Sequence, residues 1–135
     1  MLEKVRFHTT CRQELFNLTE QVKKVVAGSG VTEGMCYVYC PHTTGGLVVN
    51  SHMDPKTPQD IIFEIDSLVP TRVDFFHTFD TPSDAAGHVK SSLVGIDLTF
   101  IVTEGKMALG HSQGILFAEF DGPRDREVLV KVIAC

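Results

Sequence analysis

The 135-residue sequence has no tryptophan, so a base-stacking platform would have only two Tyr and nine Phe to draw on. It also lacks a basic excess. Twelve Lys and Arg stand against seventeen Asp and Glu, a net charge of −5, which weighs against a nucleic-acid binder while leaving room for a local basic pocket that holds phosphate. No run of 18 apolar residues is present, which argues against a membrane-spanning helix. The N-terminal Met-Leu-Glu-Lys-Val-Arg-Phe-His alternates charged and apolar residues and has no signal-peptide core, so a cytoplasmic location is expected. Cysteine is sparse: Cys11, Cys36, Cys40 and Cys135 form no Cys-x-x-Cys pair. Cys36 and Cys40, four apart in an expected strand, would lie about 13 Å apart at about 3.3 Å per residue, too far for a disulfide or a shared zinc. Reduced thiols follow. There is no Walker loop, Gly-x-Gly-x-x-Gly, Gly-x-Ser-x-Gly or His-Glu-x-x-His, which weighs against the common nucleotide, hydrolase and zincin classes.

What is present is ordinary globular composition, 43% hydrophobic and 21% charged, in a length that fits one domain over residues 1–135. Val5, Phe7 and Thr9 alternate with Lys4, Arg6 and His8 as in a half-buried strand. Asn17-Leu18-Thr19-Glu20 starts a helix carrying Leu18, Val22, Val25 and Val26, which Gly28 and Gly30 end. Residues 34–40 and 45–50 read as buried strands. Thr57-Pro58 opens a second helix, with Ile61, Ile62, Ile65, Leu68 and Val69 on its apolar face and Pro70 after it. Residues 70–87 show no period and read as a long loop, which in a small domain is often functional or mobile. His88–Val94, Asp97–Val102, Lys106–Leu109, Gly114–Phe120 and Glu127–Ile133 read as strands, with turns at Glu104-Gly105 and Asp121-Gly122-Pro123. The expected fold is α+β: a mostly antiparallel or mixed β-sheet with two helices packed on it.

Six histidines, at 8, 42, 52, 77, 88 and 111, are the main chemical signal. His42 sits in Pro-His-Thr-Thr-Gly-Gly, a loop that would present imidazole, the Thr43 and Thr44 hydroxyls and open N–H groups to a ligand, or simply order a turn. Asn50, His52 and Asp54 are spaced to share a strand face, or to build a turn with Pro55. In a strand, His88, Lys90 and Ser92 would share a face suited to phosphate, or form a solvated edge. His111 lies between Gly110 and Gly114. Glu119 and Asp121 would share a face opposite Phe120, with Arg124 able to pair with either or with a phosphate. No His-x-His or His-x-x-x-His pair exists, so a metal site would have to be assembled from distant segments.

Three runs together resemble the YjbQ-like family, also described as secondary thiamine-phosphate synthases. They are Cys40-Pro41-His42-Thr43-Thr44 with Asn50 and Asp54-Pro55; His88-Val89-Lys90-Ser91-Ser92-Leu93-Val94-Gly95; and Leu109-Gly110, Gln113-Gly114-Ile115, then Glu119-Phe120-Asp121-Gly122-Pro123-Arg124. The resemblance covers nearly the whole chain. It implies an α+β fold, a homotrimer, a histidine-lined pocket with a metal or phosphate site, and a weak activity joining a pyrimidine pyrophosphate to a thiazole phosphate. The sequence departs from the family pattern at Ala86, where a histidine is usual, at His111-Ser112, where Thr-Trp is usual, and at His52.

From these readings a catalytic set of His42, His88, Lys90 and Glu119 is expected. Thr43, Thr44, Asn50, Asp54, Ser91, Gln113, Asp121 and Arg124 would contact a small phosphorylated metabolite. His42, His88 and His111 would hold a divalent metal, zinc or magnesium, with His111 or His52 replacing the imidazole absent at Ala86. A non-catalytic metal- or metabolite-binding protein is the alternative. No nucleic-acid or membrane partner is expected.

Overall fold

A computed structural model describes all 135 residues. Eight strands and three helices follow one another as β1 (Leu2–His8), β2 (Glu14–Asn17), α1 (Thr19–Gly28), β3 (Gly34–Tyr39), β4 (Gly45–Ser51), α2 (Lys56–Leu68), α3 (Pro82–Val94), β5 (Asp97–Thr103), β6 (Lys106–Met107), β7 (Gln113–Glu119) and β8 (Asp125–Ala134). A five-stranded sheet runs β1-β8-β3-β5-β6 and a three-stranded sheet runs β2-β7-β4. Every strand pair is antiparallel. The α+β expectation holds, with two sheets instead of one and a third helix.

Strand alternation accounts for the core. Val5, Cys36, Val38, Val102, Val128 and Val130 point inward from the large sheet and meet Leu47, Ile115 and Phe117 from the small one. Leu18, just before α1, and Val22 and Val26 within it add a face of residues spaced four apart. From Gly114 onward β7 is buried on both faces, which explains its continuous apolar run Ile115–Ala118. All four cysteines are unpaired, and burial pushes the Cys36 thiol up to about 11.

The segment 82–94 corrects the sequence reading: His88–Val94 is the second half of α3, not a strand. Thr81 caps this helix by accepting a hydrogen bond from the Asp84 N–H at 3.2 Å, Pro82 occupies the first turn, and Asp84 complements the helix dipole. The loop between α2 and α3 is therefore only 69–81. Strand β2 was likewise not expected; at four residues it is too short to show a period.

Candidate metal centre

The first two turns of α3 place Asp84 and His88 on one face, four residues apart. The preceding loop delivers His77 to the same spot. His77 Nε2 lies 2.8 Å from Asp84 Oδ2, and His88 Nε2 lies 3.2 Å from the same oxygen. The two imidazole centroids are 5.2 Å apart with a 72° interplanar angle. Among all His, Cys, Asp and Glu side chains, only these three gather with one ligand atom each inside 4.8 Å. Asp84 is 9% exposed, whereas His77 and His88 are 42% and 40% exposed, so the carboxylate forms the floor and the rings form an accessible rim. Burial works to raise the Asp84 pKa, but the His77 hydrogen bond and the nearby His88 charge outweigh it and hold the carboxyl low.

The protonation of His88 is set by its other nitrogen. Nδ1 lies 3.1 Å from the Thr43 carbonyl oxygen, which can only accept, so Nδ1 carries the proton and donates. In the neutral ring Nε2 is then a lone pair, and it faces the Asp84 carboxylate, another acceptor. Two acceptors at 3.2 Å are reconciled by a proton or a cation between them. A ligating histidine that donates its second N–H to a backbone carbonyl is the usual arrangement at metal sites. Two imidazoles and one carboxylate, with further positions open to solvent, fit zinc or a similar transition metal better than magnesium, which prefers oxygen ligands.

A buried ion pair holds Thr44, the residue after the one whose carbonyl orients His88. Arg126 Nε donates to Glu119 Oε1 at 2.9 Å, and its terminal nitrogen reaches Glu119 Oε2, the Thr44 hydroxyl at 2.9 Å and the Thr44 carbonyl at 3.3 Å. Thr9 Oγ1 and the Asp121 N–H also donate to Glu119, at 2.7 and 3.1 Å. Burial opposes the charge on Glu119, yet Arg126, Thr9 and the Asp121 N–H together keep its pKa below the usual range. Gly87 lets α3 lie against this loop: a Cβ there would sit 3.3 Å from Thr44 Cβ.

Arg124 lies within electrostatic reach of Asp84. It donates to the Asp121 carbonyl at 2.7 Å and to Asp121 Oδ2 at 2.8 Å, remains 52% exposed, and feels the charges of Asp121, Asp84 and Glu119, which raise its pKa. A half-exposed guanidinium next to a metal-type cluster is placed to meet an oxyanion.

Of the other expected site residues, His42, Thr43 and Ser91 line one cleft with His88, and the rest fall elsewhere. On a helix, residues two apart point about 200° apart, so Lys90 leaves the His88 face. Its ammonium is buried and donates to Gln13 Oε1 at 2.6 Å and Asp66 Oδ1 at 2.8 Å, tying α3 to α2 instead of meeting phosphate. Lys90→Met is expected to cost about 1.5–3 kcal/mol, the worth of hydrogen bonds to a charged group, nearer the low end because Asp66 is 42% exposed and regains water. Thermal unfolding reads this, and metal content stays unchanged. Ser91 donates to the Gly45 carbonyl at 2.6 Å, anchoring α3 on β4. Glu119 is fully buried and serves the ion pair, out of reach of a substrate.

His42 does not join a metal set with His88 and His111. Its Nε2 lies 3.0 Å from the backbone N and O of Glu127, and burial, followed by the charge of Arg126, lowers its pKa. His111 is exposed on the loop between β6 and β7 and lines a different cleft together with His52. Ala86 is 1% exposed, two residues from both Asp84 and His88 and so on the far side of the helix; no imidazole has left the centre there. Asn50 Oδ1 accepts from the Ser51 N–H at 2.7 Å, Asp54 Oδ1 accepts from the Lys56 N–H at 2.9 Å as α2 starts, and Gln113 Oε1 accepts from the Gly110 N–H at 2.8 Å. These three order turns. His77 and Asp84 were missed. The available signal was Thr81-Pro82-Ser83-Asp84: read as a helix start, it puts Asp84 and His88 one turn apart.

Comparison with known proteins accords with the three sequence signatures. The profile of the family described as UPF0047 protein YjbQ-like matches residues 3–135. A UPF0047 protein of Methanocaldococcus jannaschii is 44% identical over 133 residues, 98% of this chain and 94% of that protein. UPF0047 protein YugU of Bacillus subtilis is 37% identical, covering 98% of this chain and 99% of its own. The crystal structure of a YbjQ-like protein of unknown function from Sulfolobus solfataricus superposes with TM-score 0.94 at 28% identity, over 100% and 97% of the two chains. A YjbQ/UPF0047 structure from Clostridium acetobutylicum gives 0.90 at 40% identity, over 97% and 99%. Matching in sequence from residue 3 to the last residue, and in fold over the full chain, the protein belongs to the YjbQ-like UPF0047 family.

Proposed function

We propose that the protein is a metal-dependent transferase acting on a phosphorylated metabolite. His77, Asp84 and His88 would hold one divalent transition metal, and Arg124 would hold a phosphate oxygen beside it. The observation that carries this reading is the His88 ring, whose Nδ1–H is committed to the Thr43 carbonyl while Nε2 faces the Asp84 carboxylate. When bound, the metal would supply Lewis-acid neutralisation of a diphosphate leaving group. Arg124 would align that group, the Asp84 floor would fix both rings, and the exposed rim would admit substrate. Joining a pyrimidine pyrophosphate to a thiazole phosphate with release of pyrophosphate is the reaction this arrangement suits.

A non-catalytic metal- or phosphometabolite-binding role is favoured by one observation. Both imidazoles of the cluster would be spent as ligands, which leaves no further base in it. We also read the assembly as a homotrimer in the cytoplasm. Phe63, Leu68, Val73, Phe76 and Phe79 are exposed on α2 and the His77 loop, an apolar surface that association would cover. Four free thiols suit a reducing compartment. No helix is long and apolar enough to cross a membrane.

The test is elemental analysis of untagged protein purified without chelator, joined to a pyrophosphate-release assay. About one zinc or similar metal per chain, sedimentation at three times 14.9 kDa, and turnover above a metal-only blank support the proposal. Stoichiometric metal without turnover selects the binding role. Metal far below stoichiometry that dialysis does not restore removes the centre.

A further inference from the structure

A second cleft, of about 510 Å3, opens between α1, β6 and the β6–β7 loop, and none of its lining residues belongs to the metal centre. Four of those residues are basic in type, Lys23, Lys106, His52 and His111, and none is a carboxylate, in a chain whose net charge is −5. Val26 and Met107 contribute an apolar wall. The volume suits a small organic ligand.

Hydrogen bonds behind the cleft leave the His52 ring with a donor. The Ile115 N–H donates to Thr19 Oγ1 at 2.9 Å, so the Thr19 hydroxyl proton goes to Asn17 Oδ1 at 2.6 Å; the Thr19 N–H reaches the same oxygen at 3.0 Å. The Asn17 carboxamide is thereby oriented with its NH2 toward His52 Nδ1, 3.4 Å away. Nδ1 accepts, and the neutral ring keeps its proton on Nε2 as a donor. Gly114 makes room for this ring: a Cβ there would lie 2.6 Å from His52 Cγ and Cδ2, closer than packing allows. Gln113 closes the turn that carries His111. Glu20 lies 3.7 Å from Lys23 with both side chains more than half exposed, a pairing that leaves the ammonium available.

We propose that this cleft binds an organic phosphate, its anionic group meeting Lys23, Lys106 and the His52 donor while its apolar body rests on Val26 and Met107. The site shares no residue with the metal centre, so the two proposals stand or fall separately. Charge-assisted hydrogen bonds from two lysines are the main attraction.

The experiment titrates the full chain with phenyl phosphate, inorganic phosphate and benzyl alcohol, followed by backbone amide shifts. Phenyl phosphate is expected to bind saturably, more tightly than either fragment, moving the Gly110 and His111 amides. The double variant Lys23→Gln/Lys106→Gln, confined to exposed side chains, is expected to weaken it about tenfold or more. His88→Ala and Arg124→Gln leave the Gly110 and His111 amide shifts unchanged. No saturable binding, equal affinity in the lysine double variant, or loss of binding in Arg124→Gln would each overturn the assignment; the last moves the phosphate to the metal centre.

Discussion

Arg126→Ala is expected to lower stability by about 3–5 kcal/mol, because it strands the Glu119 carboxylate in a fully buried position. At about 3–4 °C per kcal/mol for a chain of this size, the melting temperature falls by about 9–20 °C. The pH dependence reverses as well. In the native protein Glu119 is held below its unfolded pKa, so the unfolded chain binds more protons in that acid window; stability is present above the unfolded value and is lost as pH falls through the folded one. Without Arg126, burial dominates and raises the folded pKa above the unfolded value. The folded chain then binds more protons, and stability is lost as pH rises through that range. The difference between the denaturant midpoints of the two proteins is expected to widen as pH rises from about 3 to 7, since Asp66 and Asp84 contribute alike to both. A difference that stays constant or narrows would refute the assignment of Arg126 as the counter-charge.

The second large effect concerns the metal. His77→Ala, Asp84→Ala and His88→Ala each remove a direct ligand and are expected to weaken zinc binding by more than about 100-fold, beyond the loss usual for an outer partner. His111→Ala is expected to change it less than about twofold. Competition with a chromophoric chelator measures each. Affinity in the unaltered protein should fall as the solution is acidified, because ligation needs neutral imidazoles. A set of variants in which His111→Ala is damaging and His77→Ala silent would restore the ligand set His42, His88 and His111 and remove the one built on α3.

The architecture was largely legible because strand alternation and turn chemistry act locally. Val5 and Phe7 in β1, the run through β7 and the turn at Glu104-Gly105 carry their own signals. The site was less legible, for two physical reasons. Val89, Val94 and the paired serines give the second half of α3 a strand-like look, and its helical state is decided by Thr81 and Pro82 at the other end. An error of period then moved every side chain: Lys90 went to the His88 face and Asp84 dropped into a loop. The second reason is range. The partners of Glu119 are Arg126, seven residues on, and Thr9, 110 residues back, and no spacing rule sees the latter. The Glu-Phe-Asp-Gly-Pro-Arg run was rightly singled out, but its Glu holds the fold while its Arg faces the solvent.

The group that dictates the His88 tautomer is the main-chain oxygen of Thr43. Peptide carbonyls are supplied by every amino acid, so side-chain exchange at position 43 is chemically silent for the ring as long as the turn keeps its course. What the ring depends on instead is the shape of the loop, guarded from below by Arg126 and Glu119. Inheritance of the proton's position is thus assigned to residues that never approach it, and drift at position 43 itself leaves the ring's tautomer intact.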